Sequence, residues 1–337
     1  MDSSVWPWFG FVAFIGLLLA FDLGLLHRRP RVVSVGHALW LSFAYVALAG
    51  LFNLGVLAWR GETAAYEFLT GFLIEKSLSI DNVFVFVLIF GHFAVPAQYQ
   101  YRVLFWGLIG ALVMRGVMIA LGAALIANFH WIIFVFGGFL VATGIKMLRA
   151  IDAKPDLENN RLVAFLRRRL RITSDYHGEK FFVRRDGVLW ATPLFLVLLL
   201  IETTDVIFAV DSIPAIFAIT QDPFIVYTAN VFAILGLRAL YFALAGIIHR
   251  FHYLKYGLAL VLIVVGAKMI LNAFFGEKFI PTEWALAITA ALIFGSMAVS
   301  LVKTRGPGNG TEARPLPTGW VPGSGGRDRN SKPKTQP

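Results

Sequence analysis

Apolar residues gather into nine long runs separated by short polar links: 5–26, 35–59, 66–91, 103–127, 131–149, 188–219, 223–248, 254–275 and 282–302. Each approaches the roughly 20 residues that a helix needs to cross a bilayer's hydrocarbon core. The pattern predicts an all-α polytopic membrane protein of about nine transmembrane helices. Composition agrees, with 58% hydrophobic residues, 15% charged residues and a mean hydropathy of +0.72. A soluble domain carries nearer to about 25% charged residues.

The net charge of +10 gains meaning from where the basic residues fall. HRRPR, HFAVPAQYQYR, the stretch 150–187, HRFHYLK and the tail from Lys303 alternate with the poorly basic GETAAYE, ANFH, ITQD and FGEKFIPTE. With the flanking Arg149 counted in the first set and the flanking Arg60 in the second, the first set holds 23 of the 30 Lys and Arg, the second set 2, and the spans 5. The positive-inside rule then places the N-terminus outside and the C-terminus in the cytoplasm of a plasma (inner) membrane protein. Topology accounts for the charge, and no nucleic-acid partner is needed. The first run has no basic n-region or small-residue cleavage site, so it reads as a span and not a signal peptide. The organisation expected is a transmembrane domain over 1–303 and a disordered basic tail over 304–337, rich in Gly, Pro and Ser. The basic loop 150–187 reads either as a plain topogenic loop or as a short amphipathic helix on the inner membrane surface. There is no cysteine, hence no disulfide, thiolate ligand or thiol redox chemistry.

Two runs contain acids at bilayer depth: EKSLSID (Glu75–Asp81) and ETTDVIFAVD (Glu202–Asp211). An intramembrane carboxylate is costly and usually marks a polar path or site. The two stretches superpose. Glu75, Asp81 and Asn82 match Asp205, Asp211 and Ser212; Arg115 then matches Arg238, and Gly144-Ile-Lys146-Met147 matches Gly266-Ala-Lys268-Met269. The arginine-to-lysine intervals are 31 and 30 residues. Each copy holds three spans, repeat 1 over about 66–149 and repeat 2 over about 188–275. An odd number of spans inverts the second copy, as in transporters with midplane sites between inverted repeats. Glu202 has no counterpart, because Phe72 occupies its place.

In a straight helix, residues six apart differ by about 240° and about 9 Å. Glu75 and Asp81 therefore mark successive stations on a path, or the helix is broken. A break is favoured by Pro214, which frees the carbonyl of Val210, and by Ser79, Asn82 and Ser212, which compete for backbone groups. Glu202 and Asp205, three apart, share a face with Thr203 and Thr204 nearby. Such an oxygen-rich donor set suits Mn²⁺, Mg²⁺ or Ca²⁺. The candidate metal residues are Glu75, Asp81, Asn82, Glu202, Asp205, Asp211 and Ser212. Lys76, Arg115, Arg238, Lys146 and Lys268 are the accompanying cations. Arg115 and Arg238 are expected to orient the acids, while Lys146 and Lys268 can snorkel. The competing reading pairs five acids with five bases as a structural network, a costly way to hold helices together. Asp22 reads as a cap or interfacial pair, and Asn53 as interhelical glue or site lining. His92, His130, His249 and His252 read as interfacial.

EKSLSIDNVFVF and IETTDVIFAVDSIPAIFAI resemble the two signature segments of the TerC/Alx family of integral membrane proteins, within the LysE-related transporter group. The resemblance runs from the first span to the ninth. It implies Mn²⁺ export, roles in metal homeostasis, metallation of exported proteins and tellurium resistance, and metal-binding acids at Glu75, Asp81, Glu202, Asp205 and Asp211. The expected function is a divalent-metal exporter, Mn²⁺ by resemblance, working by alternating access with protons as counter-ion. A membrane scaffold or assembly factor for membrane or exported proteins, acting through the 150–187 loop and the tail, is the alternative. Amino-acid export, as in LysE relatives, fits the balanced charges less well. No catalytic constellation is present: no HExxH, no Ser placed with a His base, and no resident cofactor is expected.

Overall fold

The computed structural model describes residues 5–26, 35–149, 170–185, 187–245, 253–275 and 279–303. The tail, residues 150–169, His249, His252 and the side chain of Asp22 lie outside the described residues. The chain forms helices α1 (Trp6–Leu26), α2 (Val35–Arg60), α3 (Glu62–His92), α4 (Ala97–Asn128) and α5 (Ile132–Arg149). Strands β1 (Phe182–Arg185) and β2 (Val188–Ala191) follow, then α6 (Pro193–Phe217), α7 (Pro223–Leu235), α8 (Leu237–Leu244), α9 (Leu254–Phe275) and α10 (Thr282–Lys303). Among the described residues, α2, α4, α5, α6, the pair α7–α8, α9 and α10 are each long and apolar enough to cross a membrane. α3 has the length but carries Glu75, Lys76 and Asp81. It packs against α2, α6, α7, α8, α9 and α10, so its polar residues face protein, as an intramembrane charge requires.

Three sequence expectations are corrected. The sixth span begins at Pro193 and not at 188, because Val188–Ala191 pairs antiparallel with Phe182–Arg185, Phe182 opposite Ala191. Gly187 takes φ +77°, which side-chain-bearing residues avoid. Asp186-Gly187 between two alternating runs is the hairpin signal. Second, α3 and α6 run unbroken through their acidic stretches. Ser79, expected to loosen the backbone, bonds back one turn to Glu75 O (2.8 Å) instead, as do Ser77 to Leu73 O (2.7 Å), Thr203 to Leu199 O (2.8 Å) and Thr204 to Leu200 O (2.7 Å). Bonded in this way, these side chains are satisfied within an intact helix. Pro214 lies in the last turn of α6, where only three helical residues follow it. Third, the seventh span is two helices, parted at Gly236.

The helix neighbours form a regular set. α5 packs on α9, α3 on α7, α4 on α6, α3 on α6 and α4 on α7. Exchanging α3, α4 and α5 with α6, α7–α8 and α9 maps this set onto itself. The closest crossing obeys the same exchange: a Cβ at Gly144 would lie 2.7 Å from the carbonyl of Ala259, and one at Gly266 would lie 2.8 Å from that of Gly137. Glycine lets these backbones meet; any larger residue would have to part them.

Apolar packing falls into two clusters. One gathers Phe11, Phe68, Phe224 and Phe232 with Leu104–Leu112 and Leu196–Ile201; the other gathers Ile119, Ile133, Leu140, Ile213, Val261 and Val265. On α4, Arg115 lies between Leu112 of the first and Ile119 of the second; on α6, Asp205 lies between Ile201 and Ala209.

A buried charge network as candidate cation site

Arg115 on α4 is 1% exposed and organises the centre. Its guanidinium donates two bonds to Asp205 on α6, Nε to Oδ2 at 3.1 Å and Nη2 to Oδ1 at 3.0 Å. This two-pronged contact is the geometry in which arginine holds a carboxylate most strongly. Nη1 is ion-paired with Glu75 on α3 and donates to Asn230 Oδ1 on α7 (2.9 Å) and Ser212 Oγ (3.4 Å). Asn230 closes the ring by donating to Glu75 Oε2 at 3.4 Å. Two carboxylates and one guanidinium thus meet, a surplus of one negative charge in a low-dielectric setting where it acts strongly.

The other candidate residues lie around this centre. Glu202 is one turn before Asp205, whose charge acts on it, and its carboxylate lies where a Cβ at Gly110 of α4 would be. Asp211 accepts from Thr143 Oγ of α5 at 3.3 Å and lies within the influence of Lys146. Lys255, at the start of α9, acts on Asp81. Each of these matched acids therefore addresses the third helix of the opposite triplet. Asn82 is 1% exposed, and its Oδ1 has no hydrogen-bond partner. Among the described residues, no three His, Asp or Glu converge as a ready-made metal centre.

The cations are dispersed. Lys76 donates to the carbonyl of Ala233 (3.2 Å) in the last turn of α7, where the helix dipole favours a positive charge. A Cβ at Gly236 would lie 2.6 Å from the Lys76 amine, so the α7–α8 break and this lysine occupy one place. Lys146 is exposed, whereas Lys268 is buried and acted on by Glu67 and Glu283. Arg238 is buried, its guanidinium 4.6 Å from the Tyr101 ring centre and 5.6 Å from that of Phe105. A small cavity lies beside it, lined by Asp205, Arg238, Gly107, Leu104 and Phe86 among others.

Sequence reasoning missed Asn230, although a lone amide in the apolar run YTANVFAIL needs a partner. It also missed the Arg60–Asp222 ion pair, in which Asp222 additionally caps α7. Here a charged residue in each of two links was read as topology alone.

The sequence profile described as "Integral membrane protein TerC family" matches residues 60–306, which include every residue of this network. The chain belongs to the TerC family. It is 48% identical over 298 residues to the uncharacterized membrane protein STKORF319 of Myxococcus xanthus, covering 88% of this chain and 92% of that protein. It is 46% identical over 304 residues to Alx of Escherichia coli strain K12, covering 88% and 92%, a protein whose name proposes a membrane-bound redox modulator. An uncharacterized membrane protein of Rickettsia bellii is 43% identical over 296 residues, covering 88% and 97%. No solved structure matches the chain.

Proposed function

We propose that this TerC-family protein moves a divalent cation, Mn²⁺, out of the cytoplasm through the carboxylates of α3 and α6. The observation that carries the reading is the pair Glu75 and Asp205, fully buried on two different helices with a surplus negative charge and held by one guanidinium. Glu202, Asp81 and Asp211 supply further oxygen stations on either side. The cargo is substrate: it binds as the guanidinium gives way, which is why the carboxylates need not already be gathered around an ion. The exchange symmetry of the helix neighbours supports alternating access between inverted repeats. Export against an inward-negative potential opposes a divalent cation by about 4.6 kcal/mol at 100 mV, twice the single-charge cost. Proton antiport supplies that drive, because carboxylates release protons as a metal binds.

The name of the Alx relative brings a redox role into view. With no cysteine in this chain, a redox effect would run through the metal it moves. The scaffold reading draws on the hairpin, whose Phe182 and Leu189 are exposed beside Arg184 and Arg185.

The test is Mn²⁺ flux into proteoliposomes by the wild type, Asp81→Asn and Asp211→Asn, with vesicle pH followed at the same time. The proposal expects flux lost in both variants and, in the wild type, a rise in vesicle pH as metal enters, because protons leave in exchange. Undiminished, metal-selective flux in both would remove these acids from the path, and flux without a linked pH change would make the protein a uniporter.

A further inference from the structure

The hairpin ahead of α6 is tied to the protein along its base and bare on one face. Thr192, the residue before α6, donates from its amide to the carbonyl of Phe181 (2.9 Å) and from its hydroxyl to that of Lys180 (2.7 Å). Two further backbone bonds, Ala191 N to Arg171 O and Thr173 N to Ala191 O, are each 2.9 Å. Tyr176 in turn donates to the carbonyl of Phe93, just past α3, at 2.7 Å. The hairpin therefore has a fixed stance against the first turn of a membrane-crossing helix.

Its register sorts the side chains. Residues opposite each other on paired strands project to the same side, and successive residues alternate. Phe182, Arg184 and Leu189 share one face, while Val183, Arg185, Val188 and Trp190 share the other. Val183 and Trp190 are half-buried. On the first face Leu189 is 63% and Phe182 44% exposed, and Arg184 is exposed as well. Phe182 also meets Phe195 of α6, with ring centres 4.4 Å apart. Phe195 and Leu199, one turn apart, are themselves only half-buried in a helix long and apolar enough to cross the bilayer. The bare face thus continues the lipid-facing strip of α6 beyond its N-terminus. Residues 180–191 carry three basic residues, Lys180, Arg184 and Arg185, against one acid, Asp186. The neighbouring Glu179 is engaged by Arg102 at 3.4 Å.

We propose that this hairpin is a docking surface for acidic phospholipid, with Phe182 and Leu189 among the acyl chains and Arg184, Lys180 and Arg185 on headgroup phosphate. Arginine and lysine stems run along apolar surface and raise their charges to the interface, and arginine matches phosphate with a two-pronged bond. The positive-inside count turns this face toward the cytoplasmic leaflet, which carries the acidic lipid. A protein partner is the other occupant that a bare apolar face can take, but it leaves unexplained why the face runs on into the lipid-facing side of α6. Because the hairpin is bonded to the residue that starts α6, lipid held there fixes where the helix carrying Glu202, Asp205 and Asp211 enters the bilayer. The inference goes beyond the transport reading and stands without it.

The chain has no native cysteine, so a single reporter is specific. Full-length Leu189→Cys and Val188→Cys are each labelled with an environment-sensitive fluorophore and reconstituted, without metal, into vesicles of phosphatidylcholine and phosphatidylglycerol. Brominated lipid, which quenches only on contact, is supplied in both leaflets with one headgroup or the other at equal fraction. The reporter at position 189 should be quenched, more by brominated phosphatidylglycerol than by brominated phosphatidylcholine, and the reporter at 188, on the other face, should be quenched less. Arg184→Gln should lower the preference for phosphatidylglycerol about fivefold, the worth of one basic side chain at an acidic surface. Should that variant fail to fold, high salt with Arg184 in place gives the same reading, since screening weakens the headgroup attraction and leaves apolar insertion intact. No quenching at 189 by either lipid, as for a face standing in water or reserved for a protein partner, overturns the proposal. Equal quenching by the two headgroups, stronger quenching at 188 than at 189, or a preference that neither Arg184→Gln nor salt reduces, overturns it too.

Discussion

Arg115→Gln is expected to unsettle the whole fold. The substitution removes both prongs on Asp205 and the ion pair with Glu75, all within groups whose side chains are at most 4% exposed. Removing one partner of a buried pair costs about 3–5 kcal/mol, because the other charge stays buried without compensation. Two carboxylates share this guanidinium and Asn230 retains only its contact with Glu75, so the upper part of the range applies, about 4–5 kcal/mol. At roughly 2 °C per kcal/mol for a chain of this length, the unfolding midpoint should fall by about 8–10 °C. Intrinsic tryptophan fluorescence during heating in detergent reads the midpoint, compared at one scan rate because such unfolding is commonly irreversible. The triple variant Arg115→Gln, Glu75→Gln, Asp205→Asn leaves no unpaired charge and should recover most of the loss while remaining unable to move a cation. A midpoint for Arg115→Gln within about 2 °C of the wild type, or no recovery in the triple variant, would refute the reasoning.

Gly144→Val and Gly266→Val should damage stability to a similar degree, since each drives a side chain into a facing carbonyl at 2.7–2.8 Å; Gly138→Ala, with nothing within 4 Å, should gain up to about 1 kcal/mol, and thermal unfolding separates the three. Asn230→Leu keeps the volume but removes an acceptor from Arg115, so a loss of about 1.5–3 kcal/mol is expected, whereas a neutral result would mean that the amide is not part of the network. Tyr176 donates to the carbonyl of Phe93 at 2.7 Å, and burial pushes its phenol up to about 12, so the bond persists across neutral and mildly alkaline pH. Tyr176→Phe should cost about 1 kcal/mol and speed hydrogen exchange across the α3–α4 turn without changing the α5–α9 crossing.

The spans were legible because apolar length is a strong signal, and the acids were legible because charge is rare there. Arg115 was expected to orient carboxylates, since its chemistry leaves few alternatives in an apolar run, and its guanidinium is bonded to Asp205 and ion-paired with Glu75. Arg238 shares that chemistry but is stacked on aromatic rings, and no local signal separates two residues in matched sequence positions. Lys76, read as a companion of the acids, turns to the carbonyl of Ala233, because a helix C-terminus competes for a cation and that terminus is created by the break at Gly236. The predicted break within α3 and α6 failed for a related reason: hydroxyls that loosen a backbone in water bond back to it where no water competes. Asp81 and Asp211, expected as one symmetric pair, address α9 and α5 separately. Sequence equivalence specifies matched surroundings and does not require two residues to meet.

The central claim is that Glu75 and Asp205 carry Mn²⁺ across the membrane. The most direct test is radioactive manganese uptake by proteoliposomes with the wild type, Glu75→Gln, Asp205→Asn and the lipid alone, at matched protein content and with folding verified for each variant. The account predicts saturable uptake by the wild type, and uptake reduced to the lipid background in both variants. Uptake at wild-type rates in folded Glu75→Gln and Asp205→Asn, or none above lipid in the wild type under either direction of proton gradient, would contradict it.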